Sequence, residues 1–201
     1  MIISILPDNF FLLCYIRMRG DRDMKRSKKI VVISHCLLNV NAKVEGLAVE
    51  RACAKKLIQY LIENDYGMIQ LPCAEMDMCG INRWGQVKSQ LDHPNYRRRC
   101  RELMQPVVCQ IEDYISNGYQ IEAVIGVDGS PTCGVNRTCI GEWRGEIGEQ
   151  YHTMEKAASG RMSSEAGVMM EVLREMLRDS NISIPFYALD EESLDYFPIN
   201  K

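Results

Sequence analysis

The sequence predicts one α/β domain in three layers, α/β/α, with a mainly parallel sheet. Short β-branched runs alternate with longer stretches of helical periodicity, and most runs are closed by a turn residue. A length of 201 residues suits a single buried core, and no repeat, low-complexity tract or linker divides it.

The elements follow in order. Residues 29–34 (KIVVIS) form a β-branched run expected to be a buried strand, and a loop runs from His35 to about Gly46. From about Leu47 to Asn64, Ala48, Ala52, Leu57, Ile58, Leu61 and Ile62 recur at roughly helical spacing. Gly67 breaks that helix, and residues 68–71 make a second strand ending at Pro72. A polar loop follows to about Asp92. Pro94 then opens a long helix to about Asn117, with a kink or break expected at Pro106 and a stop at Gly118. Residues 121–127 (IEAVIGV) read as the third strand. Residues 128–160 are glycine-rich and weakly periodic, so a long functional loop is expected there. Ser163 and Ser164 can cap a helix over about 165–178, and residues 182–188 make the fourth strand. The order β-α-β-α-β-loop-α-β implies a Rossmann-like sheet with helices on both faces.

Residues 1–23 stand apart. Their apolar stretch is interrupted by Pro7 and Asp8 and lacks a basic leader and a small-residue cleavage site. Met24 opens MKRSKKIVVISHC just before the first strand. Residues 1–23 are therefore expected to be an extension outside the domain, and residues 24–201 the domain itself.

Composition narrows the function. The chain is 46% hydrophobic and 25% charged, as soluble globular proteins are, and its net charge of −3 arises from 24 basic and 27 acidic residues. That balance makes no electrostatic case for nucleic acid, and no stretch reads as a membrane span. A cytoplasmic monomer or small oligomer handling a small molecule fits better. Nine cysteines are the anomaly. An odd count without a secretory leader argues against a disulfide framework and for thiol chemistry or metal ligation. Some of the nine are equally well read as small buried hydrophobes.

Position singles out three of them. Cys36, Cys73 and Cys133 each follow the end of a different expected strand. Loops at the carboxyl ends of an open α/β sheet gather in one crevice, where ligands bind. Thiolates select zinc, copper(I) or iron–sulfur clusters. Separations of 37 and 60 residues are unlike a zinc ribbon with its close pairs. A cubane held by three cysteines leaves one iron open to a substrate atom.

The segments ISHCLLN, LPCAE and GSPTCG resemble the three motifs of the thiouracil desulfidase family: S-x-C-L-L-G after a strand, C-P-E, and S-P-S-C-G. Order and approximate spacing agree over about residues 30–190. The resemblance implies a [4Fe–4S] cluster on Cys36, Cys73 and Cys133 that takes sulfur from a thiolated nucleobase. It places the acid–base and substrate-positioning groups at Glu75 and Ser130. The sequence departs at Asn39 and Ala74, at residues 43–46 (KVEG), and in MDMCGINRWG after the second motif. It therefore looks like a divergent, desulfidase-related branch whose substrate-facing surface is altered more than its cluster ligands.

Several neighbours carry two readings each. His35, Glu45, Trp84 and Asn136 are candidate substrate contacts, Trp84 by stacking on a flat heterocycle. A satisfied loop histidine, an exposed carboxylate and a packed indole are the plainer accounts of the first three. Asn82, Arg83 and Arg137 could complete the wall, and His152 could line it. Cys79 or Cys139 could supply a fourth ligand. Cys53, Cys100 and Cys109 fall on or near expected helices as hydrophobes, and His93 caps the second helix or lies on the surface. Arg97, Arg98, Arg99 and Arg101 read as a solvated helix face rather than a basic patch. The methionines Met162, Met169, Met170 and Met176 read as packing. The leading expectation is a desulfidase that releases sulfide from a small thiolated compound. The alternatives are an iron–sulfur module for electron or sulfur transfer, or a structural zinc protein.

Overall fold

A computed structural model of the chain describes residues 26–189, so the expected extension at residues 1–23 lies outside the described residues. Its main sheet has four parallel strands in the order β2-β1-β3-β6: β1 Lys29–Ile33, β2 Gly67–Gln70, β3 Gln120–Val127 and β6 Phe186–Leu189. β4 (Thr138–Ile140) and β5 (Arg161–Ser163) form a separate antiparallel pair. The helices are α1 (His35–Leu38), α2 (Lys55–Glu63), α3 (Ala74–Cys79), α4 (Lys88–Leu91), α5 (Pro94–Ser116), α6 (Thr153–Ala158) and α7 (Val168–Asp179).

Alternation along β1 creates the layers. Val31 and Ile33 face α2 through Leu57 and Leu61, whereas Ile30 and Val32 face α5 and α7 through Val108, Ile111, Met170 and Leu173. At nine residues α2 is too short to be stable alone, so its two buried leucines hold it to the sheet. Burial of each contributes about 1.5–3 kcal/mol. The expected three-layer α/β/α architecture is therefore what the chain adopts.

The connection from β1 to β2 runs over one face, and that from β2 to β3 over the other. Strand order thus reverses between β1 and β3. In such sheets the crevice outside the carboxyl ends of the two central strands is the ligand-binding position.

Several boundaries differ from expectation. α2 begins at Lys55, and residues 45–49 are exposed coil, because the apolar side chains there have no sheet to pack on. α5 runs through Pro106 without interruption; Met104, Val107 and Val108 are buried on either side of the exposed proline, which offsets the lost backbone bond. α7 begins at Val168 rather than near Glu165. Ser163 is the last residue of β5, and Gly167 N–H is bonded to Gly134 O, so neither serine is free to cap. The last strand starts at Phe186, after Pro185. No helix among the described residues is long and apolar enough to cross a membrane.

Candidate functional site

The three neighbouring strands β2, β1 and β3 are each followed by one cysteine at the carboxyl edge. Cys36 is the second residue of α1, Cys73 caps α3, and Cys133 lies in the turn after β3. Cys133 is buried, the other two are half-buried, and all three are free of disulfides. Burial first, and then the charges of Cys36 and Cys73, hold the Cys133 thiol well above its ordinary range. Parallel pairing of β2 with β1 and of β1 with β3 sets the three loops side by side along that carboxyl edge. Cys36 packs against the core on the α2 side and Cys133 belongs to the core on the α5–α7 side, each just beyond the carboxyl end of one of the two adjacent strands β1 and β3. Cys79 is exposed at the end of α3, and Cys139 is half-buried on β4. Among the described residues no group of three or more His, Cys, Asp or Glu is set to hold a single metal ion.

The Cys73 sulfur accepts a hydrogen bond from Met76 N–H at 3.4 Å. Burial raises its proton affinity, the Met76 N–H lowers it, and the Glu75 charge raises it.

Glu75 is buried, with both oxygens engaged. Arg83 Nε donates to Oε1 at 2.7 Å and Thr132 Oγ1 donates to Oε2 at 3.2 Å. The Tyr96 hydroxyl lies 3.1 Å from Thr132 Oγ1 and donates to it, since the threonine's one hydrogen is committed to Glu75. Arg83 reaches on to Ala42 O (2.8 Å) and Gly80 O (3.1 Å). Ala42 follows Cys36, Glu75 follows Cys73, and Thr132 precedes Cys133. One chain of polar contacts therefore braces all three thiol-bearing loops. Breaking a buried pair of this kind by removing one partner costs about 3–5 kcal/mol. Arg83, a candidate for the substrate wall, instead points inward because its fork satisfies carbonyls on two loops.

The Cys133 turn is fixed from within. Asp128 Oδ1 accepts from Val135, Asn136 and Arg137 N–H at 3.0, 2.9 and 3.2 Å. Ser130 Oγ accepts from Thr132 N–H (3.2 Å) and Cys133 N–H (2.9 Å). Thr138 Oγ1 donates to Ser130 O at 3.0 Å. Gly126, Gly134 and Gly167 are packed so closely that a Cβ would strike backbone of this turn or its neighbour. Ser130 thus shapes the loop carrying Cys133, a role its sequence motif does not disclose.

Two polar atoms at the site have no hydrogen-bond partner: Ser34 Oγ and His35 Nε2. Gln70 Nε2 donates to His35 Nδ1, which leaves the ring hydrogen on Nε2. Burial lowers the proton affinity of the ring. Sequence reasoning singled out His35 and missed Ser34; a polar residue ending an otherwise apolar strand, on its buried face, was the available signal.

The remaining candidates lie at the rim. Glu45 is exposed, Trp84 is 70% exposed, and Asn136 is exposed with its amide 3.3 Å from Asp128 Oδ2. His152 is exposed and pairs with Glu155. His93 caps α5 by accepting from Tyr96 N–H. The four helix arginines each pair with a carboxylate, as a solvated face would. Two clefts lie away from the thiols. One of about 290 Å³ is lined by Arg174, Ile184 and Phe186; one of about 760 Å³ by Arg26, Asp113 and Tyr119 at the opposite sheet edge.

No family model matches the chain, and no solved structure matches it. A protein of Methanocaldococcus jannaschii described as uncharacterized protein MJ0003 is 34% identical over 110 residues, which is 55% of this chain and 70% of that protein.

Proposed function

Because the chain belongs to the family of the uncharacterized Methanocaldococcus jannaschii protein, we propose its chemistry from its own site: an iron–sulfur-dependent desulfidase that removes sulfur from a small thiolated compound. The carrying observation is the placement of Cys36, Cys73 and Cys133 just beyond the carboxyl ends of three neighbouring parallel strands, at the strand-order reversal. The motif resemblance supports the same reading and adds a thiolated nucleobase or related heterocycle as substrate class.

The donor set fits a cluster. Three soft thiols come from three separate loops, and an N–H is already directed at one of the sulfurs. A tetrahedral single ion sits about 2.3 Å from each sulfur, and among the described residues no group of three or more His, Cys, Asp or Glu is set that compactly. Cys36, Cys73 and Cys133 would hold a [4Fe–4S] cluster, and when bound it supplies a Lewis-acidic iron to a substrate sulfur.

The net reaction exchanges thiocarbonyl sulfur for water oxygen, giving a carbonyl and hydrogen sulfide. Glu75 is the chain's proton acceptor for that water. Arg83 pins Oε1, so the proton moves at Oε2, whose longer bond to Thr132 is the one that yields. Ser130 holds the Cys133 turn through its oxygen and keeps its hydroxyl hydrogen for the heterocycle. His35 Nε2–H is a second donor, fixed in its tautomer by Gln70. Glu45, Trp84 and Asn136 form the adaptable rim.

Anaerobic purification tests the reading. About four irons per chain are expected with sulfide release from 2-thiouracil or 4-thiouridine. Glu75→Gln, which keeps hydrogen bonding to Arg83, should retain iron and lower release about 100-fold or more. Full iron without turnover on any thiolated base would favour electron or sulfur transfer instead. A colourless protein holding one zinc would end the cluster reading.

A further inference from the structure

Ser34 is fully buried, and its hydroxyl has no hydrogen-bond partner. Its backbone is fixed at both ends: the N–H donates to Ile125 O at 3.0 Å, and the carbonyl accepts from Leu37 N–H at 3.1 Å. Ser34 continues the β1 alternation after Ile30 and Val32, so it faces the α5–α7 core to which Cys133 belongs. Its N–H bonds Ile125 O, and the residue after Ile125, Gly126, lies so close under the Cys133 turn that a Cβ there would strike Cys133 O, so the hydroxyl and that turn share one face of the sheet edge.

An unpaired buried hydroxyl costs stability that an alanine would not. The position therefore makes physical sense only when an acceptor arrives. The neighbouring cysteine points to that acceptor: Cys73 receives the Met76 N–H on its sulfur, and Cys133, the most buried of the three thiols, lies on the face toward which Ser34 points. Three thiolates in one site repel one another, and a donor to the most buried relieves that repulsion.

We propose that Ser34 is a positioning residue that donates its buried hydroxyl hydrogen to the Cys133 sulfur when metal holds that sulfur as a thiolate. This role rests on the cluster reading of the site. Met76 N–H on Cys73 and Ser34 O–H on Cys133 would then be a matched pair of donors to two of the ligand sulfurs. Hydrogen bonds to cluster sulfurs stabilise the more negative, reduced state and so raise the reduction potential.

The test compares wild type, Ser34→Ala and Ser34→Thr, each as apo-protein and after anaerobic loading with iron and sulfide. Apo Ser34→Ala should melt no lower than wild type, since it removes only an unpaired hydroxyl. Loaded, it should bind the same iron at a more negative reduction potential and lose it to a chelator about 10- to 100-fold faster. Ser34→Thr, which keeps the hydroxyl, should restore the potential. A loaded Ser34→Ala with wild-type potential and chelator resistance would overturn the Ser34 role and leave the cluster reading standing. An apo Ser34→Ala that melts well below wild type would show a purely structural serine and overturn it too. A wild type that takes up no iron would remove the cluster reading and this role together.

Discussion

The turn that presents Cys133 and the loop that follows Cys36 border the same crevice, yet they are built on opposite principles. In the turn, Asp128 and Ser130 together accept five backbone N–H groups, and residues 132–135 are buried. In the loop, residues 45–49 are exposed, and Leu47 and Val49 leave more than 60% of their surface in solvent. The crevice therefore pairs a preset frame, the cysteine-bearing turn, with an exposed rim. A metal site needs its donors held to a fraction of an ångström, whereas a substrate wall gains from room to vary.

The largest effect that would expose this contrast comes from one substitution made in both regions. Gly134→Ala drives a Cβ into Arg137 O and Ser130 O, backbone atoms that cannot rotate away. A loss of about 3 kcal/mol or more is expected, or failure to fold. Gly46→Ala meets only open space and carries the strain of its φ of 86°, about 1–2 kcal/mol. Denaturant unfolding of the two variants checks the ranking. A Gly134→Ala protein as stable as Gly46→Ala would mean that the turn yields and is no frame.

Asp128→Ala comes next, because it leaves three N–H donors of the turn without their carboxylate. About 2–3 kcal/mol is expected, with most of it recovered in Asp128→Asn, whose carbonyl oxygen still accepts. On the proposed cluster reading, in which the turn carries a ligand, iron retention should follow the same order.

Much of this was legible in the sequence, for physical reasons that also mark where reading stops. β1 and β3 are β-branched runs buried on both faces, and three cysteines placed just beyond strands must share an edge once the sheet is parallel. That logic needs only local pattern and topology. Arg83 was misread as wall because its partner Ala42 O lies 41 residues away, beyond any periodicity. The start of α2 was misplaced because Leu47, Ala48 and Ala52 mimic a helical stripe although nothing covers them. β4 and β5 have three residues each, too few for alternation to declare itself. Asp128 and Ser34 stayed hidden because their roles depend on where backbone N–H groups and a sulfur come to lie.

A smaller effect concerns how the insertion after β3 is tied to the frame. Lys88, nearly buried on α4, holds Glu165 and Glu171 at 2.6 Å each. Glu165 precedes Gly167, which packs on Thr132, so this clasp anchors the far end of the Cys133 region. The Lys88 ammonium holds the Glu165 carboxyl below its ordinary 4.5. Its stabilisation is therefore complete above about pH 4.5 and lost as pH falls through the lower folded value. Glu165 is well exposed, and solvent screening keeps the contribution modest. Wild type should lose stability more steeply than Lys88→Met on acidification from pH 5 to about pH 3. Parallel acid-unfolding curves would show that the clasp contributes nothing.

The smallest expected change is the most diagnostic of the rim. Leu47→Ser removes an apolar side chain that is already 62% exposed, so stability should move by no more than about 0.5 kcal/mol. Iron content should not move, because no part of the brace from Arg83 to Tyr96 touches this residue. If the rim is the substrate wall, the change appears in KM for a thiolated base while kcat holds, the signature of lost ground-state binding. A fall in kcat with unchanged KM would place Leu47 in the frame, and the division between preset ligands and adaptable wall would then be drawn in the wrong place.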